Sequence, residues 1–140
     1  MIREQKFLEF KQVHENFYGS GVEELFRINN KGKVALFEID IKGAMDLSKH
    51  KDLFTCNPMF ILPPSQEELR KRLKGRKSES EADVELRLKS AQEEIDKAKN
   101  SGLYGEKDYL INSDWKQASE DFIERIRELY SLPQVNINGD

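Results

Sequence analysis

Cysteine is almost missing from this 140-residue chain: Cys56 stands alone. No disulfide can form within the chain, which excludes a small secreted scaffold held by bridges. The scarcity predicts a reducing, cytoplasmic setting. Nothing near Cys56 would activate a thiolate, so it reads as a packing residue. Histidine is equally thin, with His14 and His50 far apart and without ligand spacing, so no zinc site is expected. No apolar run approaches the length of a membrane span, and "MIREQKFLEF" does not read as a secretory leader. The charge balance lacks a basic surplus: 23 Lys and Arg against 26 Asp and Glu give a formal net charge of −3. A general nucleic-acid binder usually carries the opposite footprint.

Charge itself is abundant, at 35% of residues, beside 37% apolar residues. The length predicts one domain with a buried core. Against the net acidity, six of the eight residues from Arg70 to Lys77 are basic, and acids follow at Glu79, Glu81, Asp83 and Glu85. Alone, this run reads either as a solvated helix face or as a phosphate clamp, since planar guanidinium groups match phosphate oxygens in paired hydrogen bonds. The acids fit a helix start, where they complement its dipole. Aromatic residues do not interleave the arginines, which argues against nucleic-acid stacking.

Along the chain, "FLEFKQVHENFY" (7–18) predicts a β-hairpin or small meander with a turn at 14–16. Val22, Leu25, Phe26 and Asn29 fall at helical spacing, with a stop at 30–32. Three short apolar runs, 33–40, 59–62 and 108–112, suit strands buried in a parallel sheet. Helical patterns between them imply strand–helix–strand units and an α/β fold, a parallel sheet flanked by helices. Ser65 with Glu68 predicts one capping box, and Ser78 with Glu81 another. The helix after the second carries Val84, Leu88, Ala91, Ile95 and Ala98 on one stripe and ends near Gly102. Asp114 is placed to cap a last helix that turns Trp115, Ala118, Phe122, Ile126 and Leu129 inward. The tail from 133 to 140 reads as loop.

Ligands of parallel α/β sheets bind beyond the C-terminal strand ends. That rule points to Glu38-Ile39-Asp40, to the loop after 59–62, and to 112–114. Glu38 and Asp40 are either binding acids or solvated loop acids and helix caps; spacing leaves both open.

Taken together, "FLEFKQVHENFYGS" (7–20), "VALFEIDIKGA" (34–44), "FILPPSQEELRKRLKGRKSESEADVELRL" (60–88) and "DYLINSDWKQA" (108–118) resemble, in order, segments of the guanylate kinase family. The resemblance implies a kinase-type α/β core over 31–64 and 103–132, a small β insert for GMP over about 1–30, and a lid over 65–102, all within 1–132. It implies transfer of a phosphoryl group from Mg2+-bound ATP to GMP. Residue by residue, it makes Glu9 the acid that pairs with guanine, Ser20 a hydroxyl on the base, Glu38 and Asp40 acids of the same pocket, and Tyr18 a donor to the GMP phosphate. Arg72, Arg76 and Arg87 become lid arginines over the phosphates, and Asn112 a position on the adenine side of ATP. No protein metal ligand is implied, and neither a membrane nor a nucleic-acid partner.

The family's phosphate loop, G-x-x-x-x-G-K-[ST], is absent from these residues; Gly32-Lys33 has no glycine five positions before it. The expectation is a chain that keeps the GMP site and lid but does not transfer phosphate alone. It would then be a truncated kinase awaiting a complementing N-terminal segment or, alternatively, a catalytically silent module that binds phosphorylated peptides. In that fold the phosphate-loop strand lies between those matching 33–40 and 59–62, so its loss leaves two strand edges to be closed.

Overall fold

A computed structural model of the chain describes residues 7–13, 16–75 and 80–131. Their contacts divide the chain into two compact units, Met1–Cys56 and Asn57–Asp140.

In the first unit, β1 (Phe7–Val13) and β2 (Asn16–Gly21) form an antiparallel hairpin, as the alternating aromatic sequence predicts. The expected turn at 14–16 lies mostly outside the described residues. Helix α1 (Val22–Asn29) follows directly, with Glu23 and Glu24 in its first turn and Arg27 in its last, each complementing the dipole. Leu25 and Ile28 are its half-buried positions, whereas Phe26 is exposed. Gly32 ends the turn that follows, in the left-handed region at φ +67°. Helix α2 (Ile41–Ser48) buries Ile41 and Leu47 and lies against β1. Gly43 is buried within it, and a Cβ there would stand 3.1 Å from the Ile39 Cβ, which accounts for glycine inside a helix.

The run 33–40 corrects a sequence expectation. It is no strand: no ladder bonds hold it among the described residues, and Val34 and Leu36 are exposed. An apolar run becomes a strand only where a neighbouring strand takes up its backbone donors and acceptors in a ladder; here the run's ends bond to the flanking helices instead, Lys33 N–H to Ile28 O and Ala44 N–H to Asp40 O.

In the second unit, β3 (Phe60–Leu62) pairs in parallel with β4 (Tyr109–Ile111), matching Phe60 to Tyr109 and Leu62 to Ile111. Between them run α3 (Gln66–Lys74) and the long α4 (Glu81–Ser101); α5 (Trp115–Tyr130) follows β4. This parallel pair with its helices is the α/β arrangement expected from the sequence. Leu73, Val84 and Leu88 form the buried cluster between α3 and α4, with Leu69 packed on it. Ile95 and Ala98 continue the α4 stripe as predicted, and Ala91 is half-buried. Gly102 caps α4 at φ +70°.

At the sheet's other end, Phe60, Tyr104 and Tyr109 contact one another with centroids 5.5–6.1 Å apart. Beside them Asp108 accepts from Gly105 N–H at 2.8 Å and from Arg125 Nη2 at 2.7 Å, which fixes α5 to the start of β4.

The helix starts depart from expectation in three places. Ser65 accepts from Glu68 N–H at 3.0 Å, but the Glu68 carboxylate turns to Arg72 instead of closing a box. The box of α4 is made by Ser80 and Asp83, two residues later than the predicted Ser78 and Glu81; Ser78 lies outside the described residues. Asp114 caps α5 through Gln117 N–H at 2.9 Å as predicted, but Trp115 is 77% exposed, not inward. Helical side chains lean toward the helix N-terminus, and Trp115 opens α5 with no earlier turn to lean on. The half-buried stripe of α5 begins at Ala118.

Candidate functional site

The sequence-predicted site residues fall into two groups, one in each unit. In the first, the hairpin register places Glu9 opposite Ser20 and Lys11 opposite Tyr18. With the strand period of two, positions 9, 11, 18 and 20 share one face of the hairpin. Three of the expected GMP-binding positions are therefore brought together by backbone pairing. A register irregularity between Phe7 and Glu9 lies just before them.

Asp40 belongs to the same unit. It is the N-cap of α2, the helix that lies against β1, and its Oδ1 accepts from Gly43 N–H at 2.9 Å. The capping alternative left open by the sequence is thus realised for Asp40, since a carboxylate there meets orphan amides and the positive helix end. Glu38 is exposed in the unpaired run before it.

The second group surrounds the C-terminal ends of β3 and β4. An open recess of about 250 Å3 is lined by Ile61, Leu62 and Pro63 from the end of β3, by Leu69, Arg72 and Leu73 from α3, and by Asn112 after β4. Asn112 N–H donates to Leu62 O at 2.8 Å, a last rung beyond the ladder. Arg72 Nη1 donates to Asn112 O at 2.8 Å, Nη2 to Ser113 O at 2.9 Å, and Nε to Glu68 Oε1 at 3.0 Å.

The remaining cations of α3 meet acids. Arg70 pairs with Glu81 at 3.0 Å and also with Glu85; Lys74 pairs with Glu81 at 3.0 Å, and Lys71 with Glu67 at 3.3 Å. The Glu85 carboxyl is held below the usual carboxylate range chiefly by its hydrogen bond from Arg70. Asp83 is lowered likewise, first by its hydrogen bonds with Ser80 and less by the charge of Arg87 one turn on. Arg87 is exposed on α4. Arg76 lies outside the described residues.

Sequence reasoning missed the acids that answer the basic run. Glu67–Lys71 and Glu68–Arg72 are legible as i, i+4 pairs. Glu81 and Glu85 reach α3 from the next helix, and no local pattern marks them. The carbonyls of Asn112 and Ser113 left no sequence signal at all.

Among the described residues no group of three His, Cys, Asp or Glu comes together to hold a metal ion. With no phosphate-loop motif in the sequence either, the residues present do not fit a complete Mg2+-ATP site. No helix among the described residues is long and apolar enough to cross a membrane. Cys56 is half-buried, and burial raises its thiol pKa, the opposite of an activated nucleophile.

Comparison with known proteins gives a match to the family model described as guanylate kinase over residues 1–128. The chain is 38% identical over 133 residues to Guanylate kinase 1 of Oryza sativa subsp. japonica, covering 94% of this chain and 32% of that protein. It is 33% identical over 132 residues to the guanylate kinase of Rickettsia felis, covering 94% of this chain and 62% of the relative. It is 38% identical over 139 residues to that of Caldanaerobacter subterraneus subsp. tengcongensis, covering 99% of this chain and again 62% of the relative. The chain thus spans from about a third to about three-fifths of these relatives.

Proposed function

The chain belongs to the guanylate kinase family, and from that premise we propose that these residues supply the GMP-recognition and lid parts of an enzyme that phosphorylates GMP to GDP with ATP. The observation that carries the reading is the hairpin register, which pairs Glu9 with Ser20 and Lys11 with Tyr18.

The chemistry follows from the groups. A carboxylate at Glu9 can accept from both the N1–H and the 2-amino group of guanine, a donor pair adenine lacks, so a site built around it rejects AMP. Ser20 adds a hydroxyl to the base. Asp40, held at the start of α2 beside β1, and Glu38 before it add acidic character on the base side. Tyr18 donates its hydroxyl proton to a phosphate oxygen. Arg76 and Arg87 bring positive charge to the lid, where it offsets charge developing on a transferring phosphoryl group. Asn112, on the wall of the recess, stands on the adenine side. When bound, Mg2+ would offset charge on the ATP phosphates. The backbone-amide cradle for ATP must come from sequence beyond these 140 residues or from another chain, because no G-x-x-x-x-G-K-[ST] lies within them. A reducing, cytoplasmic setting suits the single half-buried thiol.

Titration calorimetry of the 140-residue chain tests the reading. GMP is expected to bind more tightly than AMP by about tenfold or more, and Glu9→Gln to remove the preference. Equal affinities for the two nucleotides, or a preference that survives Glu9→Gln, would sink it. The missing phosphate loop favours one other reading, a catalytically silent module that holds phosphorylated peptides through Tyr18 and the lid arginines. A phosphopeptide that binds and is not displaced by GMP would select that reading.

A further inference from the structure

Arg72 differs from the cations around it in what it holds. Arg70, Lys71 and Lys74 meet carboxylates on or beside their own helix. Arg72 reaches two successive carbonyls, Asn112 O and Ser113 O, 40 and 41 residues further along the chain. Those oxygens follow the last rung of the parallel pair, where Asn112 N–H meets Leu62 O. Past that rung the ladder ends among the described residues, so the carbonyls of half-buried Asn112 and exposed Ser113 are open to a side-chain donor in place of water. A planar guanidinium with donors on two adjacent nitrogens matches two adjacent oxygens, and its third nitrogen is taken by Glu68 at 3.0 Å. Glu68 in turn gives its N–H to Ser65, the cap of α3. One side chain thus joins the loop after β3, the first turn of α3 and the turn after β4.

We propose that Arg72 is a positioning residue: it latches α3 onto the Asn112–Ser113 turn and sets the wall of the recess on which Asn112 sits, instead of gripping phosphate, the role proposed above for Arg76 and Arg87. For the identity of what is positioned, a nucleotide, the proposal rests on the reading above. The latch leaves the side chain about a third exposed (35%), but its three nitrogens are committed. A phosphate that drew Arg72 away would have to release α3 from the end of β4, so the gripping and latching roles compete.

Residue-resolved hydrogen exchange of the nucleotide-free 140-residue chain separates the two roles, because a phosphate ligand is silent without phosphate and a latch is not. Arg72→Lys keeps the charge but loses the fork. It is expected to raise exchange about tenfold at the Asn112 amide and at the amides of 69–75, while residues 88–98 of α4 stay unchanged. Unchanged exchange at Asn112, or an equal rise through α4, overturns the proposal. If Arg72→Lys does not fold, Glu68→Gln carries the test, since it removes only the charge of one acceptor. A rise of about threefold confined to the same amides supports the latch, and no change overturns it. No nucleotide enters the experiment, so its failure leaves the GMP titration standing, and a failed GMP titration leaves the latch standing.

Discussion

Leu88→Ala is expected to destabilise the second unit by about 3 kcal/mol, and its neighbour Leu86→Ala hardly at all. Both leucines lie within α4, and leucine and alanine have similar helix propensities, so backbone preference nearly cancels. What differs is burial: Leu88 is 8% exposed in the cluster with Leu73 and Val84, whereas Leu86 is 64% exposed. The substitution removes three carbons, and at about 0.8 kcal/mol per buried methylene the transfer part comes to about 2.4 kcal/mol. Leu73 and Val84 hold the vacated space open, and the cavity brings the total to about 3 kcal/mol, inside the usual range for buried leucines. Leu86→Ala stays within about 0.5 kcal/mol. Urea unfolding followed by circular dichroism reads both, with the midpoint moving and the slope unchanged for Leu88→Ala. Similar costs for the two variants, or less than about 1 kcal/mol for Leu88→Ala, would refute the view that this cluster is what joins α3 to α4.

Two further outcomes follow from titrating groups. Glu85 and Asp83 have folded pKa values below their unfolded ones, so their stabilising contribution is complete above the unfolded carboxyl range of about 4 and is lost as pH falls through the lower folded values. Acid titration of thermal stability should therefore show a decline below about pH 4 that Glu85→Gln makes shallower. Added salt should weaken it, because these pairs are exposed; an identical profile in the variant would contradict the assignment. Burial raises the Cys56 pKa, so labelling by a thiolate-selective reagent should reach its half-maximal rate at a higher pH than a free cysteine does. Half-maximal labelling at or below the free-thiol value would remove burial as the controlling factor.

Most helices were legible because local rules decide them. Ser65, Asp114 and Gly102 act where sequence places them, and the apolar stripe of α4 is buried as its spacing implies. The sequence reading places the start of α4 two residues early, at Ser78 with Glu81, because a second Ser-x-x-acid pattern at 80–83 overlaps the first; the reciprocal bonds of Ser80 with Asp83 mark the one used. The run 33–40 has the composition of a strand, but composition cannot supply the neighbour that a ladder needs. For the candidate site, the pairing of Glu9 with Ser20 depends on hairpin register, which an alternating pattern only approximates. Arg72 was visible as an arginine in a basic run. Its distinction lies in two backbone oxygens about forty residues away, which carry no side-chain signature.

Trp115 is the sole tryptophan of the chain, it is largely in water, and it directly follows the Asx cap of α5. The indole fluorescence of these 140 residues therefore originates within three residues, along the sequence, of the carbonyls that Arg72 holds. Its emission is an intrinsic optical gauge of this end of the sheet: a ligand or partner that covers the ring moves it to drier surroundings and shifts its colour to the blue, with no label attached.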